Sequence, residues 1–489
     1  MIHGKQFAIL PAPLEGEDYR HFPLADGMVL SCSPGLPAAL SPDGRNVLLG
    51  HAWSALEDGL DPAQAIETLD DPARLLREEC AWCGRYVLIA DGKVYTDTAA
   101  TMPVFYSDEG VASDIRFLVE AGAHPRNGLR LEGKVKWFPG PATAFEGVSR
   151  LLPSQCYHYR EKTLTFRATL SPDIPEGLPY EELRERCVRL LRAAAVNMHR
   201  HFRGEKIIVA LTGGYDSRLS FAALQSLGDD YPFSAYTLEH EHISAEDRDR
   251  PRALCERCSV PYFYGRREPE KFSERRYQDY SEHLSGMVLE EDQLFYAYGQ
   301  YDGLLNAGEK GVLVRSNIYT VTYASPAQTH AVGKTVDPDD FFAHYEISPR
   351  SPMARAFQVY FDWTAAHPLP FSDTHRFYWE QKMACWSAED DRGYDIYEQF
   401  TAIQLGNCRD LVTLLMYMPE ERKKGKAHQA EMIAALCPQI ADIPYGSGQG
   451  GASGKLKSLA QSVGKAWRKM QKIGFARGIQ YYLRKITHR

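Results

Sequence analysis

Cysteine is scarce in this chain, at 10 of 489 residues, too dilute for a disulfide-stapled scaffold. Long hydrophobic runs are missing too. A run such as Ile207 to Leu211 falls far short of the roughly 20 apolar residues a membrane-spanning helix needs. The opening residues, Met1-Ile2-His3-Gly4-Lys5, lack a cationic stretch followed by a long apolar one, so no secretory signal is expected. A cytoplasmic location with reduced thiols is the expectation. Acidic residues are absent from Gly446 to Arg489, where ten Lys and Arg stand. The first 445 residues therefore hold 46 basic against 64 acidic residues, a balance of −18. An acidic body of this kind gives no reason to expect a nucleic-acid partner.

What is present is ordinary globular material. Hydrophobic residues make up 44% and charged residues 25%, which excludes collagen-like and largely disordered classes. The length allows roughly two to four domains. Residues 1–165 are β-rich, with candidate strands Phe7 to Leu10, Val47 to Leu49, Tyr86 to Ala90, Lys93 to Thr96 and Val104 to Tyr106 between turn signals such as Ser41-Pro42-Asp43-Gly44. A polar junction, Ser171 to Gly177, reads as a linker. From Tyr180 to Phe202 the apolar residues fall at helical spacing. Strand-like and helix-like runs then alternate: Ile207 to Leu211, Ser217 to Leu227, Phe233 to Leu238, Asp247 to Cys258, Pro261 to Tyr264 and Val312 to Val314. That alternation predicts a parallel sheet with helices on both faces. Residues 375–445 read as mostly helical, and a glycine-rich hinge, Tyr445 to Gly451, precedes the basic tail.

The chemistry-bearing segment is Leu211-Thr212-Gly213-Gly214-Tyr215-Asp216-Ser217-Arg218. An apolar strand runs into two glycines and a helix starts at once. Glycines let the chain turn sharply and let a phosphate approach the main chain. The first N–H groups of the helix favour an anion. Thr212 and Ser217 add hydroxyls, and Asp216 can hold the loop or a Mg2+ ion that neutralises phosphate charge. The Gly-Lys-Ser/Thr ending of a Walker loop is missing, as is a dinucleotide fingerprint.

This loop resembles the pyrophosphate-binding loop Ser-Gly-Gly-x-Asp-Ser, with Thr212 for the first serine. The resemblance implies ATP cleaved between its α- and β-phosphates, with a carboxylate activated as an adenylate. The order of Gly84 to Asp91, Met102 to Tyr106, Ala112-Ser113-Asp114, Phe138 to Thr143 and Leu151-Leu152-Pro153 ahead of that loop is similar to the glutaminase half of asparagine synthetases. The fold so implied is an α+β N-terminal domain of the Ntn-hydrolase type over residues 1–170. An α/β parallel-sheet PP-loop domain, adenine nucleotide α-hydrolase-like, would span 178–445, and a basic amphipathic tail 446–489. The implied activity is an ATP-dependent, AMP-forming amide ligase acting on a small-molecule, sugar or peptide carboxylate and an amine donor. Leu211, Thr212, Gly213, Gly214, Asp216, Ser217 and Arg218 would bind the nucleotide, and adenine would meet Thr237, Leu238 and Glu239 beside the second strand. A thiolation enzyme using the same loop and a catalytically impaired scaffold or nucleotide-sensing partner in a biosynthetic complex are the alternatives.

Three departures from the family stand out. Its glutaminase needs a cysteine at the second position, with its own α-amine as base; here Ile2 stands there and the next cysteine is Cys32. No glutamine hydrolysis is expected, as in the lasso-peptide cyclases and β-lactam synthetases that this chain resembles. The family's acidic signature after the fourth strand is replaced by Arg315-Ser316-Asn317, where Arg315 offers phosphate a planar donor fork. No lysine follows the late Cys437 to Tyr445 segment; Lys423, Lys424 and Lys426 precede it and Lys455 follows. Of these, Lys426 is the candidate for stabilising the transition state.

The remaining clusters read more blandly. Cys80-x-x-Cys83 and Cys255-x-x-Cys258 lie far apart and are expected as thiols rather than a zinc site. Glu246 to Arg250, Glu290-Glu291-Asp292 and Glu389-Asp390-Asp391 are expected as solvated faces, although one set could supply a replacement Mg2+ ligand. Trp379, Trp386, Tyr394 and Tyr397, with Arg376, Arg392 and Arg409, are expected as helical core or as the closure of an acceptor pocket. In the tail, Leu456, Leu459, Val463, Trp467, Met470 and Ile473 fall at helical spacing among Lys and Arg. That pattern suits contact with an anionic lipid or carrier, peripherally at the inner membrane face, or docking on the acidic body.

Overall fold

The computed structural model describes residues 5–16, 18–25, 27–239, 243–266, 271–284, 301, 303–322, 336–396 and 399–445. The basic tail, Ile2, Glu290 to Asp292 and Tyr397 lie outside these described residues.

The inner N-terminal strands, Phe7–Leu10, Asn46–Ser54 and Trp82–Ala90, are buried on both faces, because each face meets a different core. In chain order the strands begin with β1 (Phe7–Leu10), β2 (Arg20–Pro23), β3 (Val29–Cys32), β4 (Ala38–Leu40) and β5 (Asn46–Ser54). After helices α1 (Pro62–Thr68) and α2 (Pro72–Glu79) come β6 (Trp82–Ala90), β7 (Lys93–Thr96), β8 (Phe105–Tyr106) and β9 (Val111–Ala112). Helix α3 (Ile115–Gly122) leads to β10 (Ser149–Arg150), β11 (Gln155–His158) and β12 (Thr163–Phe166). Two antiparallel six-stranded sheets result, ordered β10-β8-β9-β1-β3-β2 and β12-β11-β7-β6-β5-β4. Phe7, Ile9, Leu30, Val47, Leu49, Val87 and Ile89 fill the space between them. Leu48, Tyr86 and Leu88, at the alternate positions, pack with Ile66 of α1 and Leu75 of α2. Residues two apart share a face and neighbours face opposite ways, so continuous apolar runs are what inner sheets require.

Helix α4 (Tyr180–His201) leads into the second half. There follow β13 (Lys206–Ala210), α5 (Tyr215–Gln225), β14 (Ser234–Leu238), α6 (Ala245–Cys258), β15 (Tyr262–Gly265), α7 (Glu274–Leu284) and β16 (Gly311–Arg315). After a 3-10 turn, Asn317–Thr322, come α8 (Pro338–Tyr345), α9 (Pro352–Ala366), α10 (Asp373–Phe377), a π-helix (Tyr378–Ser387) and α11 (Ala388–Gly393). Then β17 (Phe400–Gln404) precedes α12 (Arg409–Tyr417), α13 (Glu420–Lys424) and α14 (Ala427–Leu436). The five strands are all parallel, in the order β15-β14-β13-β16-β17. Ile207, Val209, Val312 and Val314 pack against α4, α5, α12 and α14 on one face. Ile208, Leu313 and Ala402 pack on the other with Tyr236, Tyr301 and Tyr394. The parallel sheet agrees with the sequence-based expectation. Strand β17 does not, since it lies within the stretch read as mostly helical.

The two halves share their packing. Phe341, Phe357, Phe361 and Phe377, from α8 to α10, form one cluster with Leu10, Phe105 and Leu118 of the N-terminal half. Part of the 178–445 stretch thus serves as the outer helical layer of the first sheet. The Ser171 to Gly177 junction is docked at its start, where the Ser171 amide donates to Thr413 Oγ1 at 2.8 Å.

Candidate functional site

Strand order reverses between β13 and β16, since β13 continues in sequence to β14 on one side and has β16 on the other. In open parallel sheets, ligands collect at the carboxyl ends of the strands at such a point. The loop 211–214 closes β13 there, and Arg315 and Ser316 close β16.

The loop is tightly organised. Leu211 continues the strand, its amide donating to Tyr236 O at 2.8 Å. Thr237 Oγ1 donates to Leu211 O at 2.7 Å, so this buried hydroxyl staples β14 to the end of β13 and is not turned toward a base. Leu238, half-buried, ends β14. The Thr212 amide donates to Ser217 Oγ at 3.0 Å, and the Gly213 amide to Asp247 Oδ1 at 2.9 Å. The Gly214 amide reaches Thr212 Oγ1 at 3.3 Å. Helix α5 has Gly214 as its N-cap and no side chain capping its N-terminus, which leaves the positive end of the helix dipole for an anion.

Asp216, in the first turn of α5, is half-buried and fixed from two sides. Thr320 Oγ1 donates to its Oδ2 at 3.1 Å and Gln429 Nε2 to its Oδ1 at 2.8 Å. Gln429 is almost wholly buried, and its Oε1 has no hydrogen-bond partner among the described residues. Tyr378, at the start of the π-helix, bonds Thr320, and burial pushes its phenol up to about 12.

Tyr215 stacks on Tyr445, with centroids 3.9 Å apart and planes 5° from parallel. The Lys426 ammonium lies 5.3 Å from the Tyr215 ring centroid. Lys426 itself has φ 56°, a left-handed conformation at the start of α14. The structure therefore brings Lys426 to the mouth of the loop.

Two expectations are corrected by the geometry. Arg218 was expected among the residues that bind the nucleotide. Its side chain is fully buried and donates to Ile443 O (2.7 Å), Pro444 O (3.0 Å) and Gly213 O (3.4 Å), under the Tyr445 ring. One turn into α5, it points behind the loop and ties the 443–445 strap to it. Arg315 was expected to face phosphate as an open fork. It lies between Asp390 (2.6 Å) and Asp391 (3.1 Å), so two carboxylates already hold it.

Those carboxylates belong to the 389–391 set expected to be solvated. Glu389 and Asp391 are instead buried, with Arg150 and Arg392 on Glu389. Burial pushes the Asp391 carboxyl up to about 6, against the opposing pull of Arg315. Among the described residues no group of three His, Cys, Asp or Glu gathers as a metal site. Arg376, Arg392 and Arg409 are buried in ion pairs, and Trp379 Nε1 donates to Thr98 O at 2.7 Å. These residues are core and seam, not pocket wall. Among the described members of the set, Trp386 alone is exposed.

The Asp391 shift has a testable sign. Its folded pKa stands above the unfolded value near 4, so the native state takes up a proton between pH 6 and pH 4 that the unfolded chain does not. This group costs stability at pH 7 and relieves that cost as pH falls through 6. Relative to Asp391→Asn, wild type should be stabilised on going from pH 7 to pH 5, by about 1 kcal/mol. Thermal melts of both proteins at the two pH values check this. An unchanged difference rules the titration out.

Thr320, Gln429, Tyr215, Tyr378, Tyr445 and Asp247 join the site without having been singled out for it. Asp247 alone carried a sequence signal, as one of an acidic set.

No family model matches the chain, and no curated protein matches it. Among solved structures, a glutamine-dependent NAD+ synthetase from Acinetobacter baumannii, in complex with adenosine diphosphate, aligns over 36% of this chain and 31% of its own. The identity is 15% and the TM-score 0.21. An NMN synthetase from Francisella tularensis aligns over 42% of this chain and 94% of its own, at 12% identity and a TM-score of 0.21. At these values the likenesses carry no argument; fold and site rest on the sheet and its loop. No described helix is long and apolar enough to cross a membrane.

Proposed function

We propose that this chain is an ATP-dependent, AMP-forming amide ligase. The observation that carries the reading is the two-glycine turn and uncapped start of α5 at the sheet's switch point, with Asp216 held beside them by Thr320 and Gln429. In this reading the β- and γ-phosphates lie over Gly213, Gly214 and the first turn of α5. A substrate carboxylate oxygen attacks the α-phosphorus and pyrophosphate leaves. An amine then adds to the acyl carbon and AMP departs. Lys426, at the loop's mouth, would offset charge developing on the phosphates. Mg2+ is commonly held by one or two carboxylates plus phosphate oxygens. Asp216 fits as that carboxylate, and the metal would neutralise the leaving pyrophosphate.

The two stacked sheets between helices support reading the N-terminal half as glutaminase-like, without the activity. Its described cysteines, Cys32, Cys80, Cys83 and Cys156, are all buried, and burial pushes the Cys32 thiol up, away from a nucleophilic thiolate. The amine is then supplied by the substrate or by free ammonia. The basic tail would hold the protein to an anionic lipid or carrier, which salt-sensitive co-sedimentation with anionic vesicles would report. The lack of a clustered acidic site among the described residues favours one competing reading, a nucleotide-binding scaffold.

The deciding experiment incubates the protein with Mg-ATP and pools of carboxylates and amines, and reads AMP, pyrophosphate and glutamate. Ligase activity predicts AMP and pyrophosphate in equal amounts, dependent on a carboxylate, with no glutamate released from glutamine. ATP binding without turnover for every pool supports the scaffold. Glutamate release contradicts the account of the N-terminal half.

A further inference from the structure

Of the Thr212, Gly213 and Gly214 amides, only that of Gly213 bonds to a charged acceptor, and only it bonds outside the loop and its own helix. That acceptor is Asp247 Oδ1, at 2.9 Å. Asp247 lies in the first turn of α6, where its other oxygen accepts from Ser244 Oγ at 2.9 Å and its amide donates to the same hydroxyl at 2.9 Å. The contact is close from both sides. A Cβ added at Gly213 would meet Glu246 O at 3.0 Å and Asp247 Oδ1 at 3.2 Å. The carboxylate is therefore seated on an amide at the mouth of the nucleotide loop, and Ser244 fixes its rotamer.

We propose that Asp247 is a positioning residue that closes the loop in the absence of nucleotide by occupying, with its own carboxylate oxygen, the Gly213 amide that a phosphate oxygen takes when nucleotide binds. This rests on the ATP reading given above. The physical basis is competition between like acceptors. An ionised carboxylate and a phosphate oxygen both form strong charge-assisted bonds to an amide. They cannot share one N–H, and their charges repel at this range. Asp247 keeps the loop ordered and lowers its affinity for nucleotide. When the phosphate arrives, Asp247 retains Ser244 as a partner, so its release leaves no orphaned carboxylate.

Neutralisation separates this from simple scaffolding. Asp247→Asn keeps the shape and a weaker acceptor, but removes the charge. Asp247→Glu keeps the charge. With pyrophosphate and Mg-ATP as probes in titration calorimetry, Asp247→Asn should bind each on the order of tenfold more tightly than wild type. Asp247→Glu should show no gain. Without ligand, the Gly213 amide of Asp247→Asn should exchange its hydrogen faster than that of wild type. Weaker or unchanged binding by a folded Asp247→Asn overturns the proposal, because it makes the contact a support for the binding geometry. The exchange measurement needs no nucleotide. Faster exchange with no ATP or pyrophosphate bound by any variant would sink the ATP reading, and with it the competition, while leaving the contact itself real. Unchanged exchange would sink the contact alone.

Discussion

Asp216→Ala is expected to lower carboxylate-dependent pyrophosphate release by about two orders of magnitude or more, the scale for losing one stabiliser of a developing anion, here the Mg2+ that the carboxylate would hold. Stability should change far less. The substitution leaves Thr320 Oγ1 and Gln429 Nε2 without their acceptor. An unsatisfied buried donor costs about 1–3 kcal/mol, or roughly 2–4 °C per kcal/mol in a domain of this size. Assay at 25 °C, well below the melt, separates the two effects. Gly213→Ala looks like the more obvious test of the loop and is the poorer one. Its Cβ would press on Glu246 O, so lost activity would report a displaced α6 as readily as a blocked phosphate. Asp216 makes no such steric contact. A folded Asp216→Ala protein that turns over normally means that the loop does not hold the nucleotide.

The loop was legible because three local signals coincide. Five apolar residues of a buried strand meet two glycines, and the helix begins without a spacer. Its supports were not legible. Thr320 and Gln429 lie 104 and 213 residues from the aspartate they hold, and no spacing pattern links positions so far apart. Tyr215 occupies the variable place in the motif, and only the strap returning at Tyr445 gives it a stacking partner. Arg218 was misread through proximity to the motif. Arg218 lies two residues past Asp216, roughly 200° round the helix, so it faces the opposite way, and here that way is inward. The 389–391 carboxylates were misread because charge clusters usually face water. Burial is tolerated here because arginines from three separate places, Arg150, Arg315 and Arg392, converge on them. Strand β17 was hidden because Phe400-Thr-Ala-Ile-Gln is a five-residue run among helices, and parallel pairing with β16 decides its state.

Arg85→Ala is expected to destabilise the whole chain by about 3–5 kcal/mol, the scale for breaking a buried ion pair from one side. Arg85 Nη1 and Nη2 meet Asp395 Oδ1 and Oδ2 at 2.7 and 2.8 Å, and Nε donates to Thr101 O at 3.1 Å. Both side chains are nearly inaccessible, at 6% and 4%, so removal of the guanidinium takes its two-pronged partner from a buried carboxylate. The pair joins β6 of the N-terminal half to the 3-10 turn Tyr394–Ile396, which directly follows α11. Asp390 and Asp391 of α11 hold Arg315 at the end of β16, and Glu389 pairs with Arg150 of β10. One short segment thus carries the seam on one side and the edge of the nucleotide site on the other. Because the halves also share apolar clusters, calorimetry should show one cooperative transition, shifted down as a unit by on the order of 10 °C. Independent halves would instead give two transitions, with only one moved. The paired replacement Arg85→Met with Asp395→Leu should recover most of the loss, since apolar side chains of similar volume often match a buried ion pair in stability. If it does, the seam needs filled volume more than charge. If the pair recovers stability but not turnover, Asp395 is holding the 390–391 carboxylates in register with Arg315, and the N-terminal half acts as a buttress for the site rather than as a second enzyme.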